Sequence, residues 1–233
     1  MSDPAYQPPE FQAPVNPLPP AVVALFLAIA GVEVVLSLAE AGLVGGPEAV
    51  GWRLALVRDY GFSGLIFDAM IGAGQYPAEH LLRLVSYPFI HLGFTHAIFA
   101  VVLLLALGKL VAEAMGQLAF LVIFVASGLG GALVYGALLN DPVWLAGAYP
   151  NVYGLIGGYS FVMWRRLITS GGPQYQAFTL IALLMGLQLF WGVFFEAGLL
   201  WVAELAGFFC GFGLSFLLAP GEWARLRARL AQR

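Results

Sequence analysis

The sequence predicts an all-α membrane protein, a bundle of six transmembrane helices with a long first loop. Of its 233 residues, 61% are hydrophobic and 10% are charged, whereas soluble domains hold about 45–50% apolar and about 25% charged residues. The mean hydropathy is +0.88. A helix that crosses a bilayer needs about 20 mostly apolar residues, and six stretches meet that requirement. They are residues 21–41, 87–110, 118–140, 144–164, 177–195 and 199–218.

The chain before the first span is rich in proline. Residues 1–20 hold seven prolines, two acidic residues and no Lys or Arg, which is unlike the basic start of a signal peptide. Such a segment cannot bury enough apolar surface to fold alone. We therefore expect a cytoplasmic tail over residues 1–20, either extended or disordered, followed by a membrane domain over residues 21–218.

The first span carries Glu33 near its middle. An acid at the centre of a transmembrane helix costs about 2.5–3.5 kcal/mol on insertion scales. Glu33 must therefore face the interior of the bundle, contact a partner protein or be protonated. We regard it as a candidate ligand or partner contact.

The long first loop, residues 42–86, mixes charged residues with aromatic ones such as Trp52, Tyr60 and Phe67. Charges alternating with apolar residues over short runs are typical of helices that lie in the membrane interface. We expect this loop to hold interfacial helices on the extracytoplasmic side.

Orientation follows from the basic residues. Lys109 is placed at the turn that ends the second span, Arg165 and Arg166 lie just after the fourth, and four more arginines lie in residues 219–233. The loops on the other side carry Asp141 and Glu196 and, apart from the long first loop, no Lys or Arg. The positive-inside rule then places both termini in the cytoplasm. We expect a multi-pass protein of the inner (plasma) membrane with a basic C-terminal tail, either an amphipathic helix or a solvated segment.

Composition also argues against several classes of function. A net charge of -3 gives no reason to expect nucleic acid as a partner. The single cysteine, Cys210, excludes an intrachain disulfide and is expected to pack as a small apolar residue. His91 and His96, with Glu204 as a third ligand, are a weak metal candidate, because a spacing of five does not place two imidazoles on one helical face. We expect no metal and no cofactor.

Two stretches carry a resemblance to a known family. Tyr153-Gly154-Leu155-Ile156-Gly157-Gly158-Tyr159, on a helix that Pro150 is suited to begin, is similar to the nucleophile-bearing helix of the rhomboid intramembrane proteases. The run from Arg83 through His91 to His96, continuing to Gly108-Lys109-Leu110-Val111 and Gly116, resembles the second helix of the family. The resemblance implies the rhomboid fold over about residues 21–218.

The departures from the family fall on its chemistry. Active rhomboids have Gly-x-Ser-Gly before the glycine-rich run, but here the four residues are Gly147-Ala148-Tyr149-Pro150. Glu204 stands where the family has its histidine base, and Ala100 stands where it has an oxyanion asparagine. Of the side chains that resemble the family's active site, only His96 remains. A hydroxyl is a weak nucleophile without an adjacent base, and one lost oxyanion donor slows such reactions by about 10²–10³. The resemblance therefore implies an inactive member, a pseudoprotease.

No other serine is expected to replace the missing one. Ser127, in Ala126-Ser127-Gly128, lies in the third span and is expected to be a small residue at a helix contact. Ser160 lies too deep in the fourth helix. Tyr149 and Glu204 are expected to face one another, either as a structural hydrogen bond or as a pair that grips a ligand or handles protons. The glycine pairs Gly154/Gly158 and Gly207/Gly211 predict close packing of the fourth and sixth spans.

By analogy with inactive rhomboid relatives, we expect the protein to bind transmembrane segments of other membrane proteins. It would act as an assembly or quality-control factor or as an accessory subunit of a membrane complex. Two alternatives stay open. One is an active protease that uses Tyr149 or Glu204 unconventionally, and the other is a small transporter or proton path through Glu33 and Glu204. His91 and His96 complete the candidate ligand or partner contacts.

Overall fold

The computed structural model of the chain describes residues 17–139, 142–195 and 198–221. This part of the chain is almost entirely helical. Its long helices are α1 (Pro20–Glu40), α5 (Phe94–Met115), α6 (Gln117–Leu138), α7 (Tyr149–Ser170), α8 (Thr179–Phe195) and α9 (Trp201–Leu218). Its short helices are α2 (Trp52–Tyr60), α3 (Gly64–Ala73) and α4 (Ala78–Ser86). Residues 1–16, the basic segment 222–233, Asp141 and Glu196, on which several predictions rest, lie outside the described residues.

Five helices in the described part of the chain are long and apolar enough to cross a membrane. They are α1, α5, α6, α9 and the stretch Gln174–Phe194, which includes most of α8. The predicted all-α membrane bundle is thus confirmed. The remaining long helix, α7, is more polar because it holds three tyrosines, an asparagine and two arginines. It runs through the centre of the bundle, in contact with α5, α6 and α9.

Two predicted spans are shifted along the chain. The second was predicted over 87–110, but α5 begins at Phe94 and ends at Met115, and residues Tyr87–Phe89 form a 3-10 turn. The fourth was predicted over 144–164, but α7 covers Tyr149–Ser170. Lys109, Arg165 and Arg166 therefore lie inside helices rather than in the turns after them. Long basic side chains tolerate this position because their charged ends reach towards the membrane surface.

Glycines bring α7 and α9 into backbone contact. A Cβ atom on Gly207 would collide with the carbonyl oxygen of Pro150, and one on Gly211 would collide with that of Gly154. The predicted close packing of the two spans is therefore confirmed for three of its four glycines. Gly158 differs, because a Cβ there would meet Val111 of α5 at an ordinary 3.4 Å. Small residues allow helices in a membrane to approach this closely.

The first loop is tied to the segment that leads into α7. Phe62 and Leu145 exchange two backbone hydrogen bonds of 3.0 and 2.8 Å. Arg83 donates to the backbone oxygens of Arg58 and Gly61 at 2.6 and 3.0 Å. Loop 42–86 forms short helices, as predicted. The Arg83 bonds hold the loop together, and the Phe62–Leu145 pair joins it to the segment that leads into α7.

Candidate functional site

The helices α5, α7 and α9 each begin at the same end of the bundle, which we call the site end. There they bring His96, Tyr149 and Glu204 to one cavity of about 500 Å³. Its other walls come from α8 and from the residues that lead into α9. They are Gln188, Leu189, Gly192, Val193, Gly198, Leu199, Leu200 and Trp201.

Tyr149, the first residue of α7, is held against α5. Its ring stacks on the imidazole of His96 with 4.7 Å between ring centroids. Its hydroxyl donates to the backbone oxygen of His96 at 3.1 Å. The hydrogen bond considered from the sequence, from Tyr149 to Glu204, is therefore replaced by one to the α5 backbone. Both side chains line the same cavity, but each has its own partner.

Glu204 is buried, with 6% of the residue exposed. The amide nitrogen of Gln188, on α8, donates a short hydrogen bond to one carboxylate oxygen. The amide oxygen of Gln188 in turn accepts a 3.3 Å hydrogen bond from the hydroxyl of Tyr153. Gln188 thus joins α8 to both α7 and α9. Sequence reasoning missed Gln188 and Tyr153, although Gln188 is the one amide in an apolar span and Tyr153 lies one helical turn after Tyr149.

His91 lies in the turn before α5 and is almost fully buried. Its Nε2 accepts a hydrogen bond from the backbone N–H of Ala148 at 3.2 Å, so the neutral ring carries its proton on Nδ1. The edge of this ring meets His96 with 5.4 Å between centroids. Burial lowers the pKa of His91 to about 4. The charges of His96 and Arg53 also lower this pKa, whereas the charge of Glu33 raises it. His91 is therefore neutral at pH 7 and holds the start of α7.

Gly147 allows α7 to begin this close to the two histidines. Its φ is +94°, a backbone conformation that L side chains rarely adopt. A Cβ atom there would also stand 2.7 Å from Cε1 of His96 and 3.1 Å from Cδ2 of His91. The glycine is required by both backbone conformation and space.

Glu33 faces the interior of the bundle, where it pairs with Arg53 of α2. Two nitrogens of the Arg53 guanidinium each lie 2.9 Å from one oxygen of the Glu33 carboxylate. Arg53 also donates to Glu40 at 2.6 and 3.0 Å and to the backbone oxygen of His91 at 2.8 Å. These bonds, led by the one to Glu33, raise the pKa of Arg53 above its usual value. The buried acid thus anchors the first loop to α1 and to the turn that carries His91.

Comparison with known proteins shows the family to which the chain belongs. A profile of the Rhomboid domain matches residues 78–221, more than half of the chain. This chain belongs to the rhomboid family. A protein of Bacillus subtilis (strain 168) named "Putative rhomboid protease YdcA" is 28% identical over 138 residues, which cover 58% of this chain and 66% of that protein. The chain therefore spans just under two thirds of that relative's length.

The part of the chain that matches the rhomboid family contains every polar side chain of the cavity. His96, Tyr149, Gln188 and Glu204 all lie within residues 78–221. Glu33 and Arg53 lie before the matched segment. The anchor of the first loop therefore lies outside the segment that matches the family.

The described walls of this rhomboid cavity hold no Ser, Thr or Cys. At the position that the family resemblance assigns to the nucleophile stands the Tyr149 phenol, already hydrogen-bonded to α5. Ala100 is fully buried and its side chain has no donor. Ser127 packs against Gly154, and Ser160 is buried about three turns into α7. Neither serine lines the cavity.

Metal and thiol chemistry also find little support. Within residues 17–139, 142–195 and 198–221, no three His, Cys, Asp or Glu side chains are grouped to hold an ion. Cys210 is partly buried, and its sulfur lies 3.4 Å from the backbone oxygen of Ala126. What the arrangement offers is a mostly apolar cavity with a few polar groups, the usual character of a binding site.

Proposed function

We propose that this rhomboid binds transmembrane segments of other membrane proteins without cleaving them. It would serve as an assembly or quality-control factor or as an accessory subunit of a membrane complex. The observation that carries the proposal is the content of the cavity, where Tyr149 and Glu204 stand at the positions that the family resemblance assigns to the nucleophile and the base. The buried Ala100 stands at the position that the resemblance assigns to an oxyanion donor.

Loss of cleavage follows from the chemistry of these side chains. An unperturbed tyrosine titrates near pH 10, so at neutral pH its phenol is a poor nucleophile towards an amide. Its proton is donated to a backbone oxygen rather than to Glu204. Removal of one oxyanion donor alone slows acyl transfer by about 10²–10³. Together these changes leave no route to rhomboid-type hydrolysis.

Binding is supported by the apolar surface beside the polar groups. Val193 of α8 is 80% exposed, and Leu187, on the same helix, is also exposed. Leu199 and Leu200 line the cavity from the residues that lead into α9. A helix entering between α8 and α9 would meet apolar walls, with Gln188 and Glu204 available for a polar group of its own. We further propose that both termini are cytoplasmic and that the protein resides in the inner membrane.

A proton path through Glu33 and Glu204 is less well supported. Glu33 is held by two bonds to Arg53, and Arg53 is held by Glu40 as well. The Arg53 guanidinium thus takes up both carboxylate oxygens of Glu33, which gives this acid a structural role.

Site-specific photocrosslinking tests the proposal. A photoreactive residue replaces Leu199, which lines the cavity, or as a control Val34, an exposed apolar residue of α1. In native membranes we expect position 199 to crosslink a small set of membrane proteins that position 34 does not. Equal labelling from both positions, or none from position 199, would contradict binding in the cavity.

A further inference from the structure

A second cavity lies at the end of the bundle opposite the site end. It measures about 580 Å³, within the usual size of ligand sites. It forms where α5 and α7 end and where the chain leaves α9. Its lining residues from α7 are Phe161, Val162, Arg165, Arg166, Thr169 and Ser170.

The walls of this cavity, which we call the arginine cavity, contain two arginines and several apolar residues. Arg165 is half-buried and Arg166 is exposed. Met115 and Ala219 extend the apolar surface of Phe161 and Val162. The described lining contains no Asp or Glu. The lining therefore combines two guanidinium groups with an apolar wall.

The two hydroxyls of the lining are already bonded to the backbone of α7. Thr169 donates to the backbone oxygen of Arg165 at 3.0 Å, and Ser170 donates to that of Leu167 at 3.4 Å. The C-terminal end of α7 itself disfavours an anion, since a helix end carries about half a negative charge. Two full positive charges outweigh it.

Arg166 differs from three other basic residues described in the structure, and Arg83 is held by backbone oxygens. Arg53 faces Glu33, Arg58 faces Asp59, and Lys109 faces Glu113. Arg166 faces no carboxylate in the described part of the chain. A planar guanidinium in that position is suited to a phosphate group, which it can bind through two parallel hydrogen bonds.

We propose that the arginine cavity binds the phosphodiester headgroup of an anionic phospholipid. The arginines bind the phosphate, and the apolar wall of Phe161, Val162 and Met115 receives the start of an acyl chain. Basic pockets between transmembrane helices at the membrane surface are suited to such headgroups. This inference does not depend on what the cavity at the site end binds or whether it cleaves.

Native mass spectrometry of the full-length chain in mild detergent tests the assignment. Three ligands are added separately: phosphatidylglycerol, phosphatidylcholine with the same acyl chains, and inorganic phosphate. We expect one phosphatidylglycerol to bind at concentrations at which phosphatidylcholine does not, and inorganic phosphate not to displace it at equal concentration. Equal binding of the two lipids would overturn the proposal. Displacement by inorganic phosphate would assign the cavity to a free anion and overturn it as well.

Variants locate the bound lipid. Each arginine near a membrane surface contributes about fivefold to the binding of anionic lipid. Arg166→Gln should therefore weaken phosphatidylglycerol binding about fivefold, and Arg165→Gln with Arg166→Gln by more. Arg58→Gln, which removes an exposed arginine elsewhere in the chain, should leave it unchanged. Unchanged binding in Arg166→Gln would place the lipid elsewhere and contradict the proposal. If the double variant fails to fold, the single variant and the comparison of ligands still decide.

Discussion

At the scale of single residues, Arg53 joins α1, α2 and the turn that carries His91. It bonds two carboxylates and the backbone oxygen of His91. Arg53 and Glu33 are each about 5% exposed, so little solvent is available to replace a lost partner. Removal of one partner from a buried ion pair costs about 3–5 kcal/mol, because an unpaired charge remains. An exposed pair contributes about 0–1 kcal/mol.

These magnitudes predict a clear difference between two ion pairs. Arg53→Gln, which leaves the buried Glu33 carboxylate without its cation, should lower the free energy of unfolding by about 3–5 kcal/mol. Arg58→Gln, which breaks the exposed pair with Asp59, should lower it by less than about 1 kcal/mol. Denaturant titration of both variants in the same bicelles measures the difference. Equal losses would mean that Glu33 and Arg53 do not form the anchor described.

His91 predicts a dependence of stability on pH. Its folded pKa of about 4 lies below the ordinary 6.5, so the unfolded chain binds more protons between these values. The contribution of His91 is complete above about pH 6.5 and is lost as the pH falls towards 4. Melting temperatures from pH 7.5 to 4.5 should therefore fall less steeply in His91→Gln than in the unchanged protein. Identical slopes would exclude a buried neutral histidine.

The sequence predicted some of these residue-level features and not others. Glu33 is an acid inside an apolar span, so its need for a partner was predictable. Its partner was not, because Arg53 lies 20 residues away in a loop whose position depends on the folded bundle. Gln188 meets Glu204 only because α8 and α9 converge at the cavity, and periodicity along one helix carries no such information.

At the scale of elements, the contact between α7 and α9 depends on glycines whose positions are not interchangeable. Gly207→Ala should insert a methyl group against the backbone of Pro150 and destabilise the protein by about 1–3 kcal/mol. Gly213→Ala, in the same helix, meets nothing within 4 Å and should be neutral or stabilise it by up to about 1 kcal/mol. Thermal unfolding of the two variants makes the comparison. A loss in both would indicate a general effect on the helix rather than the close contact.

The positions of the elements were predictable to within a few residues where the apolar pattern and the helix coincide. The start of the second span was wrong because residues 87–93 are apolar but serve other contacts. The backbone oxygen of Tyr87 accepts a hydrogen bond from Gly147, and its hydroxyl donates to the backbone of Gly128. Because these contacts are not visible in hydropathy, a prediction from hydropathy placed residues 87–93 in the transmembrane helix.

At the scale of the whole molecule, the two ends of the bundle differ in chemistry. The site end holds a mostly apolar cavity with an acid, a tyrosine and a histidine, and the opposite end holds the arginine cavity. Both are built around α7, which contacts α5, α6, α8 and α9. The family could be predicted because its glycine and histidine patterns are present in the sequence. The function could not be predicted in the same way, because Tyr149, Glu204 and Ala100 differ from the residues that the resemblance implies at those positions.

The most direct test of the proposed function is a cleavage and binding assay in proteoliposomes. The full-length chain is reconstituted with a fluorescent peptide that spans the membrane. Energy transfer measures binding, mass spectrometry detects products, and an active rhomboid serves as the positive control. We expect saturable binding and no specific product. Specific cleavage that is lost in Tyr149→Phe or Glu204→Gln, but kept in Tyr175→Phe at an exposed tyrosine outside the cavity, would contradict the account and establish a protease with an unusual site.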